Sequence, residues 1–167
     1  MTSTDLCPVL GARPLTAENF APFGTLLGQP TTAPSLERGD ITFWKATADL
    51  AGLAGSGVTG HLIAHRRSGT LTQIERHNHT PEAFIATAGR SLLVFGPPGP
   101  PDPAGLQVFE LRAGQAVLLY QGTWHWAPYP LTETATFLLL LRAETADHDV
   151  ETFDIPEHRL EPAGPSP

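Results

Sequence analysis

The sequence contains a single cysteine, Cys7, among 167 residues. One thiol cannot form an intrachain disulfide, so nothing in the sequence marks an oxidising compartment, and we expect a cytoplasmic location. No apolar run approaches the roughly 18 residues that a membrane-spanning helix needs. The N-terminus also lacks the basic start and apolar stretch of a signal peptide. We therefore expect no membrane partner.

Basic residues are also scarce. The chain has 10 Lys and Arg against 17 Asp and Glu, for a net charge of -7. Nucleic acids and anionic membranes both reward clustered basic side chains, so neither is expected as a partner. With 41% apolar residues, the length fits one globular domain over residues 1–167. We expect flexible ends at about residues 1–8 and 158–167.

Helix signals are few, and the clearest lies in LTAENFAPFG near the N-terminus. Thr16 can cap a short helix there, which Pro22 and Gly24 then end. From Ile41 onward, short β-branched, aromatic and Leu-rich runs alternate with Gly and Pro. These runs are ITFW, VTGHLIAH, TQIERH, AFIATA, SLLVFG, VFEL, AVLLYQ and ATFLLLLR. The pattern predicts an all-β sandwich or barrel, in which the Pro-rich segment GPPGPPDPAG is a surface loop.

Histidines stand in two of these segments, one on each side of the Pro-rich loop. The first, ERHNHTPEAFIATAG, places His77 and His79 one residue apart, and so on the same face if this stretch is a strand. Val or Ile would pack better at such positions. The second, GQAVLLYQGTWHWAPY, contains His125. The histidines therefore indicate a function other than packing.

The two segments resemble the paired motifs of the cupin superfamily. In that family, two His and a Glu from the first motif and one His from the second converge inside a small barrel as a metal site. The resemblance implies a double-stranded β-helix, or jelly-roll barrel, with His77, His79, Glu82 and His125 as ligands. The gap from His79 to Glu82 is at least one residue shorter than the family's usual spacing.

Imidazole nitrogens and a carboxylate suit a divalent transition metal such as Zn, Mn, Fe, Co or Ni. With three or four protein ligands, such an ion keeps a position for substrate. Two alternatives remain open at this stage. In the first, His77 and His79 are polar residues at a barrel mouth, with His125 hydrogen-bonded nearby, and no metal binds. In the second, Glu82 supports the ligands instead of binding the metal.

A narrower resemblance is to the ureidoglycolate lyase family. Four stretches carry it in family order: LTAENFAPFGTLL, ERHNHTPEAFIATAG, VLLYQGTWHWAPYPL and FLLLLRAETADHDVETFDI. The resemblance implies release of urea from ureidoglycolate to leave glyoxylate, a small carboxylate substrate, and a homodimer. The chain departs from the family pattern after His77, where Asn78, His79, Thr80, Pro81 and Glu82 restore a metal-type cupin motif.

If the substrate is ureidoglycolate or a relative, roles for individual residues can be assigned. Tyr120 or His65 would protonate the departing urea, and Arg142 or Arg76 would bind the substrate carboxylate. Trp124 and Phe84 would line the substrate pocket. Two other classes of function remain open beside the lyase: another metal-dependent cupin enzyme, such as a dioxygenase or isomerase, and a cupin that only binds a small ligand.

Overall fold

The computed structural model describes residues 7–164, and most of these residues belong to strands of two β-sheets. The strands, in chain order, are β1 (Val9–Arg13), β2 (Gly24–Leu27), β3 (Leu36–Glu37), β4 (Thr42–Phe43), β5 (Gly57–His65), β6 (Thr70–Arg76), β7 (Glu82–Ala88), β8 (Arg90–Gly96), β9 (Gln107–Arg112), β10 (Ala116–Leu119), β11 (Trp124–His125), β12 (Tyr129–Pro130), β13 (Thr134–Arg142) and β14 (Glu151–Glu161). Two one-turn α-helices, α1 (Ala17–Phe20) and α2 (Thr145–His148), and the 3-10 turns Ala51–Leu53 and Pro103–Gly105 complete the described part. Within it, no helix has the length and apolarity to cross a membrane.

The predicted N-terminal helix is present as α1. The side chain of Thr16 accepts a hydrogen bond from the backbone N–H of Asn19 at 3.1 Å, which satisfies one of the free donors at the start of the helix. Phe20, at the other end of the helix, is fully buried. The short helix therefore anchors the N-terminal region to the core.

The seven-stranded sheet closes on itself. Its strand order is β11-β6-β14-β1-β9-β8-β12, and β11 also pairs with β8. Six of its strands thus form a closed ring, which leaves no free sheet edge within that ring. The five-stranded sheet has the order β2-β10-β7-β13-β5, and β3 and β4 form a separate hairpin.

Two apolar clusters fill this architecture. The first lies between the two sheets and is rich in phenylalanine: Phe20, Phe23, Phe84, Phe95, Phe109 and Phe137. The second is formed mainly by the ring strands, with Leu71, Ile74, Val94, Val108, Trp124 and Ile155 among its members. Because alternate residues of a strand point to opposite faces, β8 contributes Leu93 and Phe95 to the first cluster and Val94 to the second. Strand β8 is therefore buried on both faces.

The all-β, two-sheet fold and each predicted strand run are confirmed. Strands β1, β2, β3, β11, β12 and β14 were not predicted. The expectation of a flexible end from residue 158 is wrong for residues 158–161, which belong to β14 and pair with β1 and β6. His158 and Leu160 are buried there, which explains their order. The rest of the expected flexible ends lies largely outside the described residues.

Candidate metal centre

Four ionisable side chains converge between the two sheets. Glu75 lies on β6 and His125 on β11, and the two residues pair directly in the antiparallel register. Glu82 begins β7 in the other sheet, and His77 follows the end of β6. The ring centroid of His125 lies 6.0 Å from that of Phe84, at the margin of the phenylalanine-rich core. The cluster is therefore held by backbone pairing on both sides.

The distances within this cluster are short. Nε2 of His77 lies 3.1 Å from Oε2 of Glu82, and Nε2 of His125 lies 3.2 Å from the same oxygen. Nε2 of His125 is also 3.8 Å from Oε1 of Glu75. Both Nε2 atoms thus face a shared centre that two carboxylates border.

The opposite ring nitrogens determine the tautomers. Nδ1 of His77 lies 2.7 Å from the main-chain oxygen of Asp149, and Nδ1 of His125 lies 3.0 Å from that of Thr123. A carbonyl oxygen can only accept, so each Nδ1 carries a proton and donates it. When a ring is neutral, its Nε2 presents a lone pair to the centre; when it is protonated, its Nε2–H faces Glu82. This is the arrangement by which metal-binding histidines are commonly oriented.

The charge of the cluster requires a cation or protons. Burial raises the pKa of Glu82, but the adjacent His125 and His77 outweigh this effect and lower it to about 2. Glu82 is therefore an ionised carboxylate facing two Nε2 atoms. Nε2 of His125 is buried and lies 3.2 Å from Oε2 of Glu82, but the angles give it no well-directed hydrogen bond among the described residues. Such a buried, unpaired atom is costly unless a ligand satisfies it.

The donor set fits a divalent transition metal. Ligand atoms of Glu75, His77 and His125 all lie within 4.8 Å of one another. Two imidazole nitrogens with carboxylate oxygens suit Zn, Mn, Fe, Co or Ni. The orphaned Nε2 of His125 is the observation that favours a metal over a purely structural cluster.

His79 does not join this centre, which corrects the expectation that it is a ligand. Strand β6 ends at Arg76 and β7 begins at Glu82, so His79 lies in a turn where the alternation of strand faces does not apply. Its side chain is 81% exposed, and its Nδ1 lies 2.9 Å from Oδ1 of Asp149. The ring therefore points toward solvent and Asp149.

Glu75 is the residue that the sequence interpretation missed. The short gap between His79 and Glu82 was the available signal. With Glu75 and His77 as the one-residue-apart pair, four residues separate His77 from Glu82, and the shortfall in spacing disappears. In this register Glu75 takes the position of the first histidine in the cupin pattern, a position that the sequence interpretation had given to His77.

The two arginines expected to bind a substrate carboxylate are engaged elsewhere. Arg76 forms a two-pronged ion pair with Glu151, at 2.9 and 3.1 Å, and its guanidinium lies 4.4 Å from the ring centroid of Trp124. Arg142 bonds to Ser56 at 3.1 Å and pairs with Glu144. Arg76 alternates with Glu75 along β6, so the two side chains point to opposite faces. Neither arginine forms a hydrogen bond or ion pair with the cluster, which corrects both expectations.

His65 is also far from the centre. It pairs with Thr134 at one end of β5, whereas Gly57 pairs with Arg142 at the other end. The β7 end that carries Glu82 lies near Arg142, because Leu140 pairs with Ala83. Eight residue steps along β5 span roughly 26 Å. His65 therefore cannot protonate a molecule bound at the cluster.

Of the remaining expected site residues, Trp124 differs most from prediction. It is buried in the second apolar cluster, and its indole N–H donates to the main-chain oxygen of Gly99 at 3.1 Å. Phe84 does lie beside His125.

Tyr120 lines both the small void at the cluster and an adjoining open cleft of about 570 Å³. Tyr120 is therefore the expected catalytic residue whose position borders the centre.

Comparison with known proteins gives distant structural likenesses and several sequence relatives. Part of Bacillus subtilis oxalate decarboxylase, a protein studied for its Mn(II) centres, matches 60% of this chain and 24% of that one at 14% identity and a TM-score of 0.43. A family model described as ureidoglycolate lyase matches residues 7–161. Ureidoglycolate lyase 2 of Rhizobium meliloti is 32% identical over 143 residues, which cover 80% of this chain and 85% of that protein. Ureidoglycolate lyase of Mesorhizobium japonicum is 33% identical over 142 residues, with coverage of 78% and 84%.

Proposed function

We propose that this chain, which belongs to the ureidoglycolate lyase family, releases urea from ureidoglycolate, or from a closely related small hydroxy acid, and leaves glyoxylate. The observation that carries a metal-assisted form of this reaction is the orphaned Nε2 of His125. That atom faces Glu75 and Glu82 beside the similarly oriented His77. The arrangement supports a site that binds an oxygen-rich substrate through a cation.

Glu75, His77, Glu82 and His125 are the donors that would hold a divalent transition metal, with Zn, Mn, Fe, Co and Ni as the candidates. When bound, such an ion acts as a Lewis acid that lowers the pKa of a hydroxyl and offsets the charge of a carboxylate. The donors themselves are fixed by strand pairing and by the two Nδ1–H bonds. The chain therefore presents the site in an ordered state.

Cleavage moves one proton from the carbinol oxygen to the departing nitrogen while the carbon–nitrogen bond breaks and a carbonyl forms. Glu82 is a poor carrier of that proton because its pKa lies at about 2. Tyr120 borders the cluster and is 47% exposed, so a substrate in the cleft can reach it. We assign to its hydroxyl the donation of a proton to the leaving urea. The phenolate then takes up the carbinol proton.

The substrate would approach the cluster from the cleft that Tyr120 lines. The Glu75 side chain is 28% exposed, whereas those of Glu82 and His125 are 8% and 3% exposed. The inner wall of the site is apolar: Phe84 lies beside His125, and Leu119 lines both the small void and the cleft. A small molecule bound there would be shielded from water on its inner side, which strengthens its polar contacts.

A urea-release assay on metal-loaded protein tests the function. We expect urea and glyoxylate in equal amounts from ureidoglycolate and, for Tyr120→Phe, a kcat lowered about 100-fold or more. Tyr129→Phe is the matched control, because Tyr129 belongs to the second apolar cluster and its hydroxyl donates to the main-chain oxygen of Thr70. Protein with stoichiometric metal that leaves ureidoglycolate unchanged would contradict the proposed substrate.

A homodimer and a cytoplasmic location belong to the same proposal. The β3–β4 hairpin exposes Leu36, Ile41 and Phe43, with Phe43 51% exposed. An isolated two-stranded hairpin is marginally stable in water, so these apolar side chains favour cover from a second copy. The single cysteine, Cys7, favours a reducing compartment.

A further inference from the structure

We infer that Asp149 positions His77 for metal binding, an inference that rests on the proposed metal-assisted function. Asp149 lies directly after α2, some 70 residues away from His77 in sequence. It is buried, and it contacts the segment of residues 77–80 through both its side chain and its main chain. It touches no carboxylate of the cluster and acts through His77.

The carboxylate of Asp149 organises the turn after His77. Its Oδ1 accepts from the backbone N–H of Asn78 at 2.8 Å and lies 2.9 Å from Nδ1 of His79. Its Oδ2 accepts from the backbone N–H of His79 at 2.9 Å and from the hydroxyl of Thr80 at 3.1 Å. Four donors thus converge on one ionised group, and charge-assisted bonds of this kind are stronger than neutral ones.

The main-chain oxygen of the same residue fixes the ring of His77. It accepts the Nδ1 proton at 2.7 Å, which leaves Nε2 to face the cluster. The χ2 torsion of histidine is broad, so a ring without such a partner can turn its nitrogens away from a ligand. The Asp149 carboxylate therefore fixes the turn after His77, and the Asp149 main-chain oxygen fixes the orientation of the His77 ring.

Asp149 is itself held in place. Its backbone N–H donates to the main-chain oxygen of Thr145 at 3.0 Å, across the single turn of α2. The hydroxyl of Thr145 lies 3.0 Å from that of Thr80. The two segments are consequently joined at several points, and loss of the Asp149 carboxylate leaves part of the junction intact. A change at Asp149 is therefore expected to loosen the turn without dissolving the fold.

The test is metal affinity, measured by competition with a chromogenic chelator, for Mn²⁺ and for Zn²⁺. Asp149→Asn keeps the size of the side chain but replaces one accepting oxygen by an NH₂ group, which cannot accept from the donors of residues 78–80. We expect it to weaken metal binding about 10- to 100-fold, the usual effect of losing a residue that orients a ligand. Asp154→Asn is the control, because Asp154 is exposed on β14 and its carboxylate bonds to Gln73. The control should match the unsubstituted protein.

Thermal unfolding of the metal-free variants separates positioning from general stability. A lowered Tm with unchanged metal affinity in Asp149→Asn would overturn the inference, since the residue would then be structural only. If Asp149→Asn does not fold, Thr80→Val removes one bond to the carboxylate at nearly constant shape. A several-fold loss of affinity supports the inference, and an unchanged affinity overturns it.

The same measurements distinguish this inference from the proposed function. If the unsubstituted protein binds metal and Asp149→Asn binds it weakly, but no urea is released, the positioning role stands and the substrate is wrong. If urea is released and both proteins bind metal equally, the function stands and the positioning role fails. A chain that binds neither ion overturns the inference together with the metal-assisted mechanism.

Discussion

Glu75 and His125 are directly opposite residues on the antiparallel strands β6 and β11, and Oε1 of Glu75 lies 3.8 Å from Nε2 of His125. Side chains that face each other across such a pair are held close by the backbone register. Because β11 also pairs with β8, the strand that carries His125 is fixed from both sides. The proximity of these two candidate ligands is thus a consequence of the closed ring of strands.

This pairing predicts which first-motif residue matters for metal binding. Glu75→Gln should weaken the affinity for Zn²⁺ by an order of magnitude or more, since the amide oxygen is a poorer ligand than a carboxylate. His79→Gln should weaken Zn²⁺ binding no more than a few-fold, because its exposed ring lies outside the cluster and makes only one of the four bonds to the Asp149 carboxylate. Titration against a competing chelator measures both. A larger loss in His79→Gln than in Glu75→Gln would restore the original ligand assignment.

His125→Ala should abolish urea release while the protein remains folded. Removal of Nε2 takes away a donor at the shared centre, so metal binding and turnover should both fall by orders of magnitude. The two sheets do not depend on this ring, so the β-sheet circular dichroism should persist.

His158→Ala is the matched control for this experiment. His158 is also buried, and its Nδ1 bonds to the main-chain oxygen of Pro156 on β14. The His158→Ala variant should be less stable but should keep its turnover within a few-fold of the unsubstituted protein. Unfolding of His125→Ala would show that His125 is a structural residue.

The sequence predicts the strands of the core well because their signal is local. Runs such as SLLVFG and ATFLLLLR are rich in residues that favour strands, and glycine or proline separates most of them. Strands β1 and β14 gave no comparable signal. β14 contains Pro156 and several charged residues, and it is ordered by pairing with β6 and β1 rather than by its own composition.

Three residues of the candidate site, two histidines and one glutamate, were predictable from the sequence. The register of the first motif, which decides between Glu75 and His79, was not. His77, Glu82 and His125 do come together, because motif order places them at adjoining strand ends. His79 was included because a strand was expected to continue past Arg76, and a turn held by Asp149 replaces it. Contacts over 70 residues, such as those of Asp149, leave no local pattern in a single sequence.

The turn at the end of the first motif gives a stability prediction. Gly89 and Gly28 both have positive φ, 77° and 73°, which an alanine adopts at a cost of about 1–2 kcal/mol. A Cβ at Gly89 would also lie 2.5 Å from the main-chain oxygen of Thr134, whereas a Cβ at Gly28 meets nothing within 4 Å. Gly89→Ala should therefore lose a further ~1–3 kcal/mol in the free energy of unfolding.

Urea denaturation of the two glycine variants measures this difference. Both variants share the cost of positive φ, so the gap between them reports only the crowding at Gly89. Equal losses would mean that the backbone near Thr134 yields to the new methyl group. The prediction for Gly89 would then be incorrect.

The exposed hairpin gives the last prediction, which concerns assembly. Phe43 and Ile41 lie on or beside β4, and the hairpin pairs with neither of the two sheets. If a second copy covers them, sedimentation at micromolar concentration should give twice the chain mass of 17.9 kDa. Phe43→Asp would bury a charge in that interface and should yield the monomer.

Strand β5 offers the competing surface, because it is an edge of the five-stranded sheet and exposes Val58 and Ile63. Val58→Asp is therefore the matched variant: it places the same charge on the other exposed apolar strand. A dimer that survives Val58→Asp and dissociates in Phe43→Asp locates the interface at the hairpin. The reverse result would place it at the edge of β5, where backbone groups free to pair can extend a sheet between two copies. A monomer of the unsubstituted chain would contradict both.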